Sequence, residues 1–277
     1  MKIVKYAAAS AAISLPGAAL AAWEVNMPVG VTELSRQIHG LHMLIFWICV
    51  VIAVAVFTAM IYSIVRFRRS QGAVAANFDH STRAEIVWTI IPVAILVGMA
   101  IPAAATLVRI EDTRNSDITV KVTGYQWMWH YDYLDEKVAF FSRLARDSDA
   151  ARQLDSGIDP TTVPNYILEV DKPMVVPVGK KVRVLLTAAD VIHAWWVPEF
   201  AMKKDAIPGF VNEMWFRADR PGIYRGQCTE LCGRDHAFMP IVVEVKTQEE
   251  YDSWLQAQKA GTDTGNAVAA ASAKVSN

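Results

Sequence analysis

The hydropathy of this chain changes character part-way along. Residues 41–65 and 85–108 are apolar almost without interruption. Each run is long enough for the ~20 residues that cross the hydrocarbon core of a bilayer. Each is also nearly free of charge, which the core helices of a water-soluble protein need not be. Pro92 and Pro102 lie inside the second run; a spanning helix tolerates them where neighbours satisfy the freed carbonyls. The pattern predicts a membrane hairpin of two helices, 41–66 and 84–108, joined by a loop 67–83. Arg66, Arg68, Arg69 and Arg83 gather around that loop against Asp79. The positive-inside rule therefore places the loop in the cytoplasm and both outer ends of the hairpin on the other side.

Beyond residue 108 the period shortens. Ile118, Val120 and Val122 alternate with Thr119 and Lys121, as a half-buried strand requires. Further strand candidates are 165–170, 181–186, 213–218, 223–227 and 241–245. Turn signals separate them at Asp171-Lys172-Pro173, Val178-Gly179 and Arg220-Pro221-Gly222. Many short strands with turns between them predict an all-β sandwich or barrel, here over 109–248. Residues 135–164 break the rhythm; they are polar, with a helix-like stretch at 140–146, and are expected to be an insertion between strands. Residues 251–259 read as a short helix, and 261–277, rich in Ala, Gly, Ser and Thr, as a disordered tail.

The N-terminus has Lys2 and Lys5, an apolar run at 6–15 and the small-x-small triplet Ala19-Leu20-Ala21. These are the parts of a secretory signal. A signal peptide 1–22, cut after Ala21 or Ala22, would leave 23–40 outside the membrane, in agreement with the loop charge. The net charge of −1 over 277 residues gives no footprint for nucleic acid.

Chemistry concentrates in Cys228-Thr-Glu-Leu-Cys232-Gly-Arg-Asp-His236-Ala-Phe-Met239. Two thiolates, an imidazole and a thioether are soft and borderline ligands, which favour copper over calcium or magnesium. His193 lies upstream, expected on a neighbouring loop after the turn at Ala188-Ala189-Asp190. Two His, two Cys and a Met exceed what one blue-copper ion takes, and the surplus cysteine points to two metal ions bridged by thiolates. A Cys228–Cys232 disulfide is the plain alternative outside the cytosol. A tetrahedral zinc site is another, although its usual spacing is not present. Cys49, in an apolar run, reads as packing. No Cys-x-x-Cys-His occurs, so no c-type haem attaches here.

The run from Cys228 through Met239-Pro-Ile-Val-Val-Glu244 resembles the CuA-binding loop of cytochrome c oxidase subunit II. Asp190-Val-Ile-His193-Ala-Trp-Trp-Val-Pro-Glu-Phe200 and Lys204-Asp-Ala-Ile-Pro-Gly209 resemble the other loop of that family. The resemblance implies a cupredoxin-like Greek-key barrel after the transmembrane hairpin. It implies copper ligands at His193, Cys228, Cys232, His236, Met239 and the backbone carbonyl of Glu230. The Glu230 side chain would also touch a magnesium or manganese site shared with subunit I. Trp127, in Gly124-Tyr-Gln-Trp127-Met-Trp129, would be the ring at which cytochrome c delivers its electron; Met128 stands where members often have Tyr. Asp132 and Asp190 match acidic docking positions. Glu85 matches the entrance of a proton path, the K-pathway, into subunit I, although from position alone it reads as a first-turn acid behind a Ser81 or Thr82 cap. The implied partners are subunit I and other oxidase subunits, cytochrome c and membrane lipid. The implied location is the bacterial inner membrane with the copper domain in the periplasm. A quinol-oxidase-like subunit lacks the cysteines. A membrane-anchored copper carrier would need neither Trp127 nor Glu85, and nitrous oxide reductase needs a far longer chain.

Overall fold

The structure, a computed structural model, describes residues 26–77 and 79–260. The expected signal peptide and the tail 261–277 lie outside the described residues.

Helix α1 spans Glu33–Arg66 and α2 spans Thr82–Ile110. Both are long and apolar enough to cross a membrane, and neither buries its central window against the rest of the protein. Exposed apolar flanks of that kind belong in lipid or against another protein's helices. α1 begins well before the apolar run because a capping box fixes its start. Thr32 Oγ1 accepts from Ser35 N at 2.9 Å and Ser35 Oγ accepts from Thr32 N at 3.0 Å, satisfying two orphan donors at once. Thr32 Oγ1 also donates to Phe200 O at 3.3 Å, and Val31 N donates to Glu199 O at 2.9 Å. The first turns of α1 therefore stand on the β domain. α2 is capped by Ser81, with Glu85 in its first turn. Its far end is also tied down: Trp215 Nε1 donates to Arg109 O at 3.1 Å, and Lys181 Nζ to the carbonyls of Asp112 and Arg114 at 2.7 and 2.6 Å.

The β domain has ten strands: β1 Ile118–Tyr125, β2 Met128–Tyr133, β3 Val138–Ser142, β4 Met174–Pro177, β5 Val182–Ala188, β6 His193–Val197, β7 Met202–Ala206, β8 Asn212–Phe216, β9 Gly222–Cys228 and β10 Pro240–Lys246. They form two five-stranded sheets, ordered β3-β2-β1-β5-β8 and β4-β10-β9-β6-β7. β1–β5 and β4–β10 pair in parallel and the other pairs are antiparallel. The result is the expected cupredoxin-like fold, as a two-layer sandwich. Alternate residues of the β1, β2, β3 and β5 strands face the shared core: in β5 every second position from Val182 to Ala188 is buried. Trp129, Trp195, Tyr131, Tyr133, Phe200 and Phe216 fill it. The Tyr133 hydroxyl bonds both Val175 O and Val175 N, at 2.8 and 2.9 Å, and so joins the two sheets.

Some expectations fail. Residues 165–170 form no strand; only a single bridge, Leu144 to Val170, is made there. The segment 135–164 is not wholly an insertion, because it contains β3, which pairs with β2. Its helix-like stretch at 140–146 ends β3, and the helix, α3, comes later at Arg146–Ala151. Val138, Phe140 and Ser142 point inward, but three inward positions are too few to stand out from polar flanks. His193 opens β6 instead of lying in a loop, and β7 occupies part of the expected 204–210 loop. The helix after Glu249 is present as α4, residues 248–260.

Candidate metal centre

Three strand ends of one sheet converge. β9 ends on Cys228, β6 begins on its neighbour His193, and β10 starts immediately after Met239. The β6–β9 register sets Trp195 opposite Cys228. The loop 229–239 leaves from one strand end and returns to the next, which folds its side chains back over the sheet edge. His193, Cys228, Cys232 and Met239 are all buried.

Their donor atoms gather closely. Cys228 Sγ lies 3.8 Å from Cys232 Sγ, 3.9 Å from His193 Nδ1 and 3.4 Å from the Glu230 carbonyl oxygen. Cys232 Sγ lies 3.5 Å from His236 Nδ1 and 3.5 Å from Met239 Sδ. Both cysteines are free thiols, so the disulfide alternative is not the arrangement seen. The two sulfurs sit between the remaining donors, and each has an imidazole and a weak donor beside it. Such a set is richer than a closed tetrahedral zinc site. Its soft sulfur and imidazole donors suit copper.

The surroundings hold this set in place. Asp190 Oδ1 lies 2.9 Å from His193 Nε2 and accepts from Val191 N at 2.7 Å, while Oδ2 accepts from Gln126 N at 2.7 Å. Asp190, an exposed residue expected as a docking charge, thus also orients the His193 imidazole in the way outer carboxylates orient metal-binding histidines. Trp129 Nε1 donates to Met239 O at 3.3 Å, and its ring meets His193 edge-on at 5.9 Å. Gln126 Nε2 and Trp127 Nε1 both donate to Cys232 O, at 2.9 and 3.3 Å. A Cβ on Gly124 would come within 2.7 Å of the His193 ring, so only glycine fits below it. Gly233, at φ +120°, turns the chain after Cys232 against Trp127, in a region closed to other residues.

Electrostatics separate the two thiols. Burial resists ionisation of Cys228, but hydrogen bonds with His193 and the backbone at Ala194 and Glu230 outweigh it and lower its pKa. Burial and then the neighbouring Cys228 charge push Cys232 up to about 12. For His193, burial is outweighed by Cys228 and Asp190, and its pKa rises. His193 thus favours ionisation of the neighbouring Cys228, and a metal, which needs thiolate and neutral imidazole ligands, would displace the protons this group still holds.

Not every expected residue joins this site. Glu85 lies at the opposite end of α2 from the β domain, 25 residues before Ile110, or roughly 40 Å at the helical rise. Asp132 is the next-to-last residue of β2, opposite Lys121 and Ala139, and bonds none of the cluster. Glu230 is an exposed residue whose carbonyl, not its carboxylate, faces Cys228. Gln126 was missed in the sequence, because nothing marks an amide as a partner of a carbonyl more than 100 residues away. The Asp190-x-x-His193 spacing was a usable signal for the inward role of Asp190.

Comparison with known proteins agrees with this geometry. The profile "Cytochrome C oxidase subunit II, periplasmic domain" matches residues 118–246, and "Cytochrome C oxidase subunit II, transmembrane domain" matches 21–105. Cytochrome c oxidase subunit 2 of Cereibacter sphaeroides is 40% identical over 83% of this chain and 79% of its own length. A probable cytochrome c oxidase subunit 2 of Rickettsia bellii is 37% identical over 84% of this chain and 83% of its own. Among solved structures, the periplasmic domain of subunit II of cytochrome oxidase of Bradyrhizobium japonicum is 45% identical, covering 54% of this chain and 98% of its own, with a TM-score of 0.46. With two apolar helices, a two-sheet domain and a His/Cys/Cys cluster where three strand ends meet, this chain belongs to the cytochrome c oxidase subunit II family.

Proposed function

We propose that this chain is the electron-accepting subunit of a proton-pumping cytochrome c oxidase, taking electrons one at a time from cytochrome c and passing them to haem in subunit I. The observation that carries the reading is the buried group of two free thiols with His193, His236 and Met239 around them. His193, Cys228, Cys232, His236, Met239 and the Glu230 carbonyl would hold a binuclear copper centre. Bound there, copper would supply a one-electron redox couple.

The protein's own residues do the rest. Asp190 and Gly124 fix the His193 ring from two sides, and Trp129 holds Met239, so the donors change little in position between redox states. Trp127 reaches the outside while its indole N–H bonds the carbonyl of Cys232, a short route from a docked donor to a ligand. Asp132 and the exposed Asp190 would steer a cationic donor, and Asp190 would also orient His193. The exposed side chain of Glu230 is free to reach a magnesium or manganese ion shared with subunit I. Glu85, at the loop end of α2, would receive protons for the K-pathway. In this reading the leader 1–22 is cleaved, 23–40 and the copper domain 109–248 face the periplasm, and 67–83 faces the cytoplasm of a bacterial cell.

The test is to purify the full chain in detergent, add copper and record its absorption and electron paramagnetic resonance spectra. A purple product with a seven-line copper hyperfine pattern is expected. A four-line mononuclear signal, or no colour, would reject the paired centre and leave a copper carrier or a quinol-oxidase-like subunit.

A further inference from the structure

Between Cys232 and Met239 the metal loop is held mostly by itself. Its backbone bonds there are local, His236 N to Gly233 O at 3.2 Å and Phe238 N to Asp235 O at 2.9 Å. The long-range bonds at its two edges reach the carbonyls of Cys232 and Met239. In the middle, a side chain from far away in sequence takes over. Arg152, the C-cap of α3, places Nη1 3.3 Å from Asp235 Oδ1 and its guanidinium 4.4 Å from the centre of the Phe238 ring. Asp235 immediately precedes the ligand His236, and Phe238 immediately precedes the ligand Met239.

The clamp is itself anchored. Arg152 Nε donates to Asp149 Oδ1 at 2.7 Å, so the guanidinium is shared between two carboxylates and an aromatic face. α3 is tied to the domain through Ala145 N to Glu169 O at 3.0 Å and Ile167 N to Ser148 Oγ at 3.1 Å. The Arg152 and Asp235 side chains are only 22% and 13% exposed, so solvent screens the pair less than an ordinary surface bridge. A planar fork that bonds a carboxylate while stacking on a ring is a task lysine cannot reproduce.

The geometry points to Arg152 as a positioning residue for the metal centre: the segment after β3 serves as a latch that fixes the spacing of His236 and Met239. This gives the polar stretch 143–164 a purpose in the proposed reaction, and the inference rests on the copper reading above. Arg152 touches no donor atom. It acts through Asp235 and Phe238 alone.

The experiment compares Arg152→Ala and Arg152→Lys with the unchanged chain in the assembled oxidase. Two signals of the loaded centre are read: the copper hyperfine splitting and the rate of copper loss to a chelator. Loss on the order of tenfold faster is expected for Arg152→Ala, from one charge-assisted hydrogen bond and one cation–π contact. An altered splitting should accompany it, with Arg152→Lys between the two. A third measurement, amide exchange at 233–239 in the metal-free full chain, should rise in Arg152→Ala while strands β9 and β10 stay protected. Unchanged exchange there overturns the latch whether or not copper binds. Unchanged splitting and copper loss overturn its link to the metal. Should Arg152→Ala fail to fold, Arg152→Lys carries the same comparisons. Failure of the unchanged chain to take up a copper pair would instead reject the proposed function, and the exchange result would still judge the latch.

Discussion

Single residues at the cluster have separable jobs, and their chemistry predicts separable failures. Cys228 shares its hydrogen bonding with His193 and ionises first; Cys232, beside that charge, is pushed up to about 12. In the reduced, metal-free chain a thiol reagent at pH 8 should therefore label Cys228 well before Cys232, as peptide mapping would reveal. Equal labelling would mean that His193 does not favour the Cys228 thiolate. Gly124 makes a different prediction. A methyl group there meets the His193 ring at 2.7 Å, and that ring is already pinned by Asp190. Gly124→Ala should cost about 1–3 kcal/mol, the usual range for overpacking a filled site, measured by denaturant unfolding of the metal-free chain. The fold brings His193 from 35 residues upstream to the sulfur and imidazole run Cys228–Met239, which was legible in the sequence as a cluster of soft ligands. The residues that orient them were not, since Gln126, Trp129 and Arg152 act on partners brought close only by the folded sheets.

At the scale of elements, the hairpin helices and five of the ten strands, β1, β5, β8, β9 and β10, followed from pattern and turn signals. A spanning helix has one dominant requirement, continuous apolarity, and a central strand such as β5 alternates cleanly. The short strands were harder. β4 is buried at all four positions, so it has no alternation to detect, and β3 is only five residues long. The start of α1 was also hidden, because it is set by capping and tertiary contact and not by hydropathy. The buried Thr32 hydroxyl makes two bonds, accepting from Ser35 N and donating to Phe200 O. Thr32→Ala should destabilise the junction by about 1 kcal/mol, within the range for a lost N-cap. Faster amide exchange in the first turn of α1, with the membrane part unaffected, is the expected readout.

On the scale of the whole molecule, the membrane hairpin and the β domain are joined by polar contacts that respond to pH. Glu213 accepts from Arg183 at 2.7 and 3.0 Å and from Thr113 at 2.9 Å. The Arg183 bond, foremost, holds its carboxyl below the ordinary 4.5. A group depressed in the folded state stabilises above its unfolded pKa and loses that contribution as pH falls through the folded value. Stability of the β domain should thus decline on acidification below about pH 4.5, the unfolded value. Glu213→Gln should weaken that dependence. An identical acid profile in the variant would show that the loss comes from other carboxylates.

The junction has one more consequence. The start of α1 is stitched to β-domain carbonyls at Glu199 and Phe200, and the end of α2 leads directly into β1 past Trp215 and Lys181. A head carried on a single stalk can swivel and nod. A head carried on two posts can do neither without breaking one of its footings. The cluster at the sheet edge is therefore held at a set height and bearing relative to the two helices. Tunnelling falls off steeply with separation, so a donor or acceptor met at that height always sees the same gap.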